Sequence, residues 1–164
     1  MRIVVTGHRP NKLPGGYNWA SKSNGKIIQW MSNQLQSFTG QVIGCSGMAL
    51  GIDQMFVFTC RVLGIDYVAY VPCKQQERMW PEHAQKDYKE LLSKASSTTY
   101  VHDGPYYKGC MQARNLAMRD WALEDNNRVL LVVWNGSPGG TANMVKACKG
   151  KMDIMYYDEL LKSE

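Results

Sequence analysis

The chain has 164 residues, a length that fits one domain at roughly 100–200 residues per domain. Hydrophobic residues make up 45% of it and charged residues 20%, an ordinary globular composition that excludes a fibrous or disordered chain. Lys and Arg number 19 against 14 Asp and Glu, and the resulting charge of +5 permits an anionic partner without demanding one.

Strand-length apolar runs alternate with segments of helical period along the whole chain. Arg2–Val5 is a β-branched run closed by Thr6-Gly7. From about Trp19 to Phe38, the residues Ile27, Met31, Leu35 and Phe38 recur at helical spacing and define one apolar face. Gln41–Cys45 reads as a second strand ended by Ser46-Gly47, and Leu50–Leu63 as a buried helix, apolar all round and stopped by Gly64. Asp66–Val71 is a third strand stopped by Pro72, followed by a more polar helix over His83–Ala95 and a short strand, Thr98–Val101. Met111–Leu123 reads as a helix. Arg128–Trp134 is a continuous apolar run, the signature of a strand covered on both faces. A helix over Thr141–Cys148 and a strand over Met152–Tyr156 complete the pattern.

Parallel strands need crossover connections, so strict β-α alternation predicts an α/β chain. The expected architecture is a single Rossmann-like doubly wound domain over residues 1–164, with a mostly parallel sheet of about six strands and helices on both faces. The five cysteines, Cys45, Cys60, Cys73, Cys110 and Cys148, are widely spaced and form no C-x-x-C pair, which predicts buried reduced thiols and no zinc cage. His8, His83 and His102 are scattered, so no metal site is expected. The apolar opening is too short for a signal peptide and no run is long enough to span a bilayer, so the expectation is a cytoplasmic protein with no membrane partner.

Ligands of doubly wound sheets bind beyond the carboxyl ends of the strands. The segments there are Thr6-Gly7-His8-Arg9, Ser46-Gly47-Met48-Ala49-Leu50-Gly51-Ile52-Asp53, Glu77-Arg78-Met79-Trp80, and Asn135-Gly136-Ser137-Pro138-Gly139-Gly140-Thr141-Ala142-Asn143. Glycine is a good turn residue in any fold. Three glycine turns on one sheet edge, each with small or hydroxyl residues and a following helix, point instead to backbone N–H groups closing on a phosphate. Neither the G-x-G-x-x-G spacing nor a Walker loop is present, which disfavours a conventional dinucleotide site and a P-loop triphosphatase. Arg9 and Arg78 offer planar forks to phosphate, and Trp80 or Trp134 offers a face to a base or ribose, with core packing as the alternative role for each tryptophan. Ser46 and Ser137 lie in no nucleophile elbow and are expected to donate to phosphate.

These residues resemble a known group. Ser46 to Asp53 is similar to the S-G-x-A-x-G-I-D signature of the DNA-processing protein A group. Arg114-Asn115-Leu116-Ala117-Met118 with Pro138-Gly139-Gly140-Thr141 resembles the R-K-x-x-M and P-G-G-x-G-T pair of the LONELY GUY enzymes. Both groups belong to the SLOG superfamily, and the opening Thr6-Gly7-His8-Arg9-Pro10 is most similar to its YpsA-like branch, also called DUF1273. The resemblance implies a nucleotide-type ligand: a nucleoside monophosphate, NAD or an ADP-ribose derivative, with no further cofactor required. It also implies a ligand-contacting Arg114. In the LONELY GUY enzymes that arginine and a glutamate after the G-T cleave the N-glycosidic bond of a nucleoside 5′-monophosphate. Asn143 stands here where a carboxylate is expected, and an amide is no general base, so Asp53 or Glu77 would have to supply the carboxylate.

Three functions follow. The first is binding of a small nucleotide by a sensor, carrier or sequestering protein, with Arg9, Arg78 and Arg114 gathered at one sheet edge. The second is an N-glycosidase acting through Arg114 with Asp53 or Glu77. The third is single-stranded DNA binding, which is less favoured because no predicted face interleaves basic and aromatic residues. Pairing into a homo-oligomer is left open.

Overall fold

The computed structural model describes residues 1–161. Six strands form one sheet: β1 (Arg2–Gly7), β2 (Ile43–Ser46), β3 (Tyr67–Val71), β4 (Ser97–Tyr100), β5 (Arg128–Val133) and β6 (Asp153–Tyr156). Their order is β4-β3-β2-β1-β5-β6 and every neighbouring pair is parallel. The expected Rossmann-like α/β architecture is therefore present, with a sheet that is parallel throughout. In the central pair Arg2 lies opposite Arg128 and Gly7 opposite Val133, so both strands end level at the carboxyl edge.

The helices are α1 (Lys22–Ser37), α2 (Ile52–Leu63), α3 (Glu82–Ser93), α4 (Cys110–Leu123), α5 (Gly140–Cys148) and the short α6 (Asp158–Leu161). Alternate residues of one strand point to opposite faces, and the core divides accordingly. Ile3 and Val5 of β1 pack with Ile27, Met31 and Leu35 of α1 and with Met55 and Phe56 of α2. Val4 faces the other way, with Met118 and Ala122 of α4 and Met144 and Cys148 of α5. Right-handed crossovers require this arrangement. The chain steps from β1 to β4 in one direction with α1–α3 on one face, then returns to β5 with α4 and α5 on the other.

Element ends differ from the sequence expectation by one to three residues, for local reasons. α1 starts at Lys22 rather than near Trp19, because Ser21 caps it and accepts from the Asn24 N–H at 3.2 Å. α2 starts at Ile52 rather than Leu50, because Gly51 sits at φ +92°, outside helical geometry. A one-turn 3-10 helix at Pro10–Lys12 and α6 were not predicted. Burial of Val129 to Val133 matches the run read as a doubly covered strand. All five cysteines are buried and free. Among the described residues no helix is long and apolar enough to cross a membrane, and no group of three His, Cys, Asp or Glu is placed to hold a metal ion.

Candidate functional site

The chain runs outward in opposite directions from β1 and β5, so the strand order reverses between them and a crevice opens at their carboxyl ends. A cleft of about 510 Å³ lies there. Thr6, Gly7, His8 and Arg9 follow β1 into it, Ala49 and Asp53 come from the turn and start of α2, and Gly140, Thr141 and Asn143 from the start of α5. Gly109, which precedes α4, lines it too; the first turn of α4 supplies Met111 and Gln112, and its second turn Arg114 and Asn115. Three helices thus begin at one cleft, the N-terminal ends where first-turn N–H groups lack intrahelical partners, although Ile52 donates to the His8 carbonyl and Cys110 to the Tyr107 carbonyl.

The turn after β2 is built by its own side chains. The Ser46 hydroxyl donates to the Asp53 carbonyl at 2.9 Å and accepts the Met48 N–H at 3.1 Å. The Ala49 N–H donates to Asp53 Oδ2 at 3.2 Å. Met48 is held at φ +62°, an uncommon conformation for a residue with a side chain. Gly51 packs against the preceding loop so tightly that a Cβ there would lie 2.5 Å from the His8 carbonyl oxygen. Gly7 is likewise pressed on Ile52, at 2.5 Å for a Cβ. These approaches draw the β1 loop and the start of α2 together, which sets the floor of the cleft.

Arg114 is 7% exposed. Its Nη1 donates to the Gly47 carbonyl at 2.8 Å and its Nε to Asn115 Oδ1 at 3.2 Å, while Nη2 has only the Met111 sulfur, at 4.0 Å. A guanidinium carries five N–H donors, so part of this buried cation's capacity goes unmet by oxygen among the described residues. Burial pushes the Arg114 pKa down, opposed by the charge of Asp53. Asp53, also 7% exposed, has its pKa raised by burial, opposed by Arg114, the Ala49 N–H and Arg9. The two are not in direct ion-pair contact. Among the described residues no carboxylate lies within 4.0 Å of Arg9, Lys12 or Arg114. Three cationic side chains therefore line the cleft against one carboxylate, Asp53.

His8 is buried and accepts the Asn135 N–H on Nε2 at 3.0 Å. Asn135 Oδ1 in turn accepts the Ser137 N–H at 2.9 Å. Lys12 Nζ donates to Ser137 Oγ at 3.4 Å, which brings a cation to the rim. Burial lowers the His8 pKa, the Asn135 side chain opposes this, and the Lys12 charge lowers it further.

The expected residues divide into three sets. Thr6, Gly7, His8, Arg9, Ala49, Asp53, Arg114, Gly140, Thr141 and Asn143 line the cleft. Ser46, Gly47 and Met48 sit behind it as turn scaffold, and Asn135, Ser137 and Gly139 lie beside His8 and Lys12, whereas a Cβ on Gly136 would meet nothing within 4 Å. Gly51 faces a different cleft. Glu77, Arg78 and Trp80 do not line the Arg114 cleft: Arg78 is exposed, and Trp80 stacks edge-on against Tyr88 at 5.2 Å between centroids. Trp134 is held by its own loop, donating from Nε1 to the Ser137 carbonyl at 2.8 Å. Asn11, Lys12, Gln112 and Asn115 line the cleft without having been singled out as ligand residues. The one sequence signal for them was that they follow or neighbour Arg9 and Arg114.

The model of the YpsA family, described as YspA SLOG family, matches residues 3–162. The uncharacterized SPbeta prophage-derived protein YoqJ of Bacillus subtilis (strain 168) is 25% identical, over 63% of this chain and 67% of its own. DNA processing protein A from Helicobacter pylori, solved for its single-stranded DNA binding mode, has the same fold at a TM-score of 0.63 and 14% identity, over 95% of this chain. The chain spans 64% of that structure's length. DNA processing protein A from Streptococcus pneumoniae aligns at a TM-score of 0.45 and 15% identity, over 99% of this chain and 61% of its own. With a family model matched over nearly its whole length, the chain belongs to the YpsA family of SLOG proteins.

Proposed function

We propose that the cleft at the β1/β5 crevice binds a nucleotide or nucleotide-derived ligand, of nucleoside monophosphate, NAD or ADP-ribose type, to sense, carry or sequester it. The observation that carries this reading is the set of three cations, Arg9, Lys12 and Arg114, that line one cleft and find no carboxylate within ion-pair distance among the described residues. A buried guanidinium without an anionic partner is costly, and a phosphate supplies both the charge and the planar acceptor pair it lacks. The starts of α2, α4 and α5 add N–H donors and positive helix ends to the same volume. About 510 Å³ suits a mononucleotide or a somewhat larger ligand.

A second reading, cleavage of an N-glycosidic bond in a nucleoside 5′-phosphate, is supported by one placement. Asp53 lines the same cleft as Arg114, which puts a carboxylate beside the guanidinium where the Asn143 amide is no general base. Glu77 lies outside the cleft lining and has no part in that reading. Binding of single-stranded DNA draws on what is described for the Helicobacter pylori relative. The cations here converge within one cleft rather than along a track, which suits a small anion better than a polymer.

Mass spectrometry of small molecules released from the natively purified protein, with calorimetry using AMP, NAD and ADP-ribose, tests the reading. Recovery or stoichiometric binding of an intact nucleotide supports it. Release of free base on incubation moves the assignment to the hydrolase. Failure to bind any of the three, combined with tight DNA binding that weakens steeply with salt, overturns it in favour of the polymer.

A further inference from the structure

A second cleft, of about 360 Å³, opens on the other flank of the ridge made by residues 8–10 and 49–51. Pro10 and Gly51 line it, while Arg9 and Ala49 line the cleft that contains Arg114. The rest of its wall comes from the 17–19 segment, α2 and α3. Its volume is in the lower part of the range of small-molecule sites, about 300–1,000 Å³.

The chemistry of this second cleft differs from that of the first. Tyr17 and Trp19 present aromatic faces, and Trp19 is steadied by Phe58 at 5.4 Å between ring centroids. Leu91 provides a buried apolar surface. Gln54 also lines the cleft and is 3% exposed. Its Nε2 donates to the Met48 carbonyl at 3.3 Å, but its Oε1 accepts no hydrogen bond from any described residue. Of the two carboxylates in the lining, Glu90 is paired with Arg61 at 3.6 Å, whereas Asp87 has no cation within 4.0 Å among the described residues. The cleft thus offers acceptors, Gln54 Oε1 and the Asp87 carboxylate, beside flat apolar faces. Arg61 in the same lining opposes a full cation, and Asp87 and Glu90 oppose an anion.

We propose that this cleft is a second binding site, for a neutral nitrogen heterocycle bearing an exocyclic amine, namely an amino-substituted nucleobase or its nucleoside. The ring stacks on Tyr17 and Trp19, and its N–H groups donate to Gln54 Oε1 and Asp87. No phosphate is needed, in contrast to the Arg114 cleft, so the two sites are separable by chemistry.

The probe is adenosine, titrated into the full chain by calorimetry and followed by NMR at the Trp19 indole N–H, assigned through Trp19→Phe. The expected result is saturable one-to-one binding that shifts that resonance. Inosine, whose carbonyl replaces the amine, binds at least about fivefold more weakly, as does Asp87→Ala, each for the loss of one polar contact. Saturating inorganic phosphate does not compete, and Arg114→Gln keeps its adenosine affinity. Gln54→Leu removes the amide but also frees the Met48 carbonyl, so the exposed Asp87 is the variant that decides. Three results overturn the proposal: no saturable adenosine binding at millimolar concentration, equal binding of inosine, or competition by phosphate with loss in Arg114→Gln. The last places adenosine in the Arg114 cleft. Since nucleotide phosphate binding is scored separately on Arg114→Gln, failure here leaves the first cleft's assignment standing or falling on its own data.

Discussion

Arg114 Nη1 donates to the carbonyl oxygen of Gly47 at 2.8 Å, and a Cβ on residue 47 would lie 2.2 Å from that same nitrogen. The absence of a side chain at 47 is thus what lets the guanidinium reach the turn after β2 and stay in the cleft. Gly47→Ala is expected to push the far end of Arg114 aside, a shift a flexible side chain makes at modest cost. Nucleotide affinity should fall by about tenfold, the loss of one charge-assisted contact, while the urea midpoint moves little. Calorimetry on the variant, paired with denaturation, checks both halves.

Gly51 is the opposite case, because the obstacle is backbone. Its φ of +92° is unfavourable for a residue with a Cβ, and that Cβ would meet the His8 carbonyl oxygen at 2.5 Å and Arg9 Cα at 3.0 Å. Gly51→Ala should destabilise the fold by about 3 kcal/mol, combining strain with displacement of the β1 loop. Chemical denaturation measures it, and a loss below 1 kcal/mol, roughly the scale of an ordinary surface change, would contradict the packing described.

His8 supplies a pH dependence whose sign follows from its surroundings. Burial holds its pKa below the ordinary 6.5, and Nε2 is an acceptor for the Asn135 N–H, a role the protonated ring cannot fill. A group with a lowered folded pKa contributes stability that is present above 6.5 and lost as pH falls through the folded value. The urea midpoint should therefore drop, and the Asn135 amide exchange faster after correction for intrinsic rates, as pH is lowered from neutral to about 5. His8→Gln, which keeps an acceptor that does not titrate, should flatten that part of the profile.

The cysteines give a prediction independent of ligand. All five are buried, and burial raises Cys60 to about 12 and Cys148 to about 11, where almost no thiolate exists at neutral pH. Alkylation of the native protein at pH about 8 should be slow and become complete on unfolding. Fast modification of Cys60 in the native state would contradict its placement between α2 and the sheet.

Legibility of the fold and the site differed for physical reasons. The alternation of periods two and three-to-four is a local property of the chain, so every strand and every long helix could be read from it. The ends could not, since they depend on the Ser21 cap and the positive φ at Gly51. The glycine motifs located the sheet edge correctly, because close backbone approach leaves a glycine in the sequence. Side-chain direction is a tertiary fact. Ser46 resembles a phosphate donor in sequence, yet its hydroxyl makes two hydrogen bonds within its own turn. Arg78 and Trp80 follow β3, two strands from the crevice, and Trp80 finds Tyr88 instead. Lys12, which lines the cleft, ends a 3-10 turn over Pro10–Lys12 that nothing in the local sequence announced.

The claim that an anion seats on Arg114 is tested most directly by calorimetric titration of AMP into the wild-type protein, Arg114→Lys and Arg114→Gln. The account predicts one-to-one binding to the wild type. A weaker complex with lysine keeps the charge but loses the fork, and glutamine loses at least about tenfold in affinity. Equal affinity of all three proteins, each folded by its denaturation profile, would contradict it.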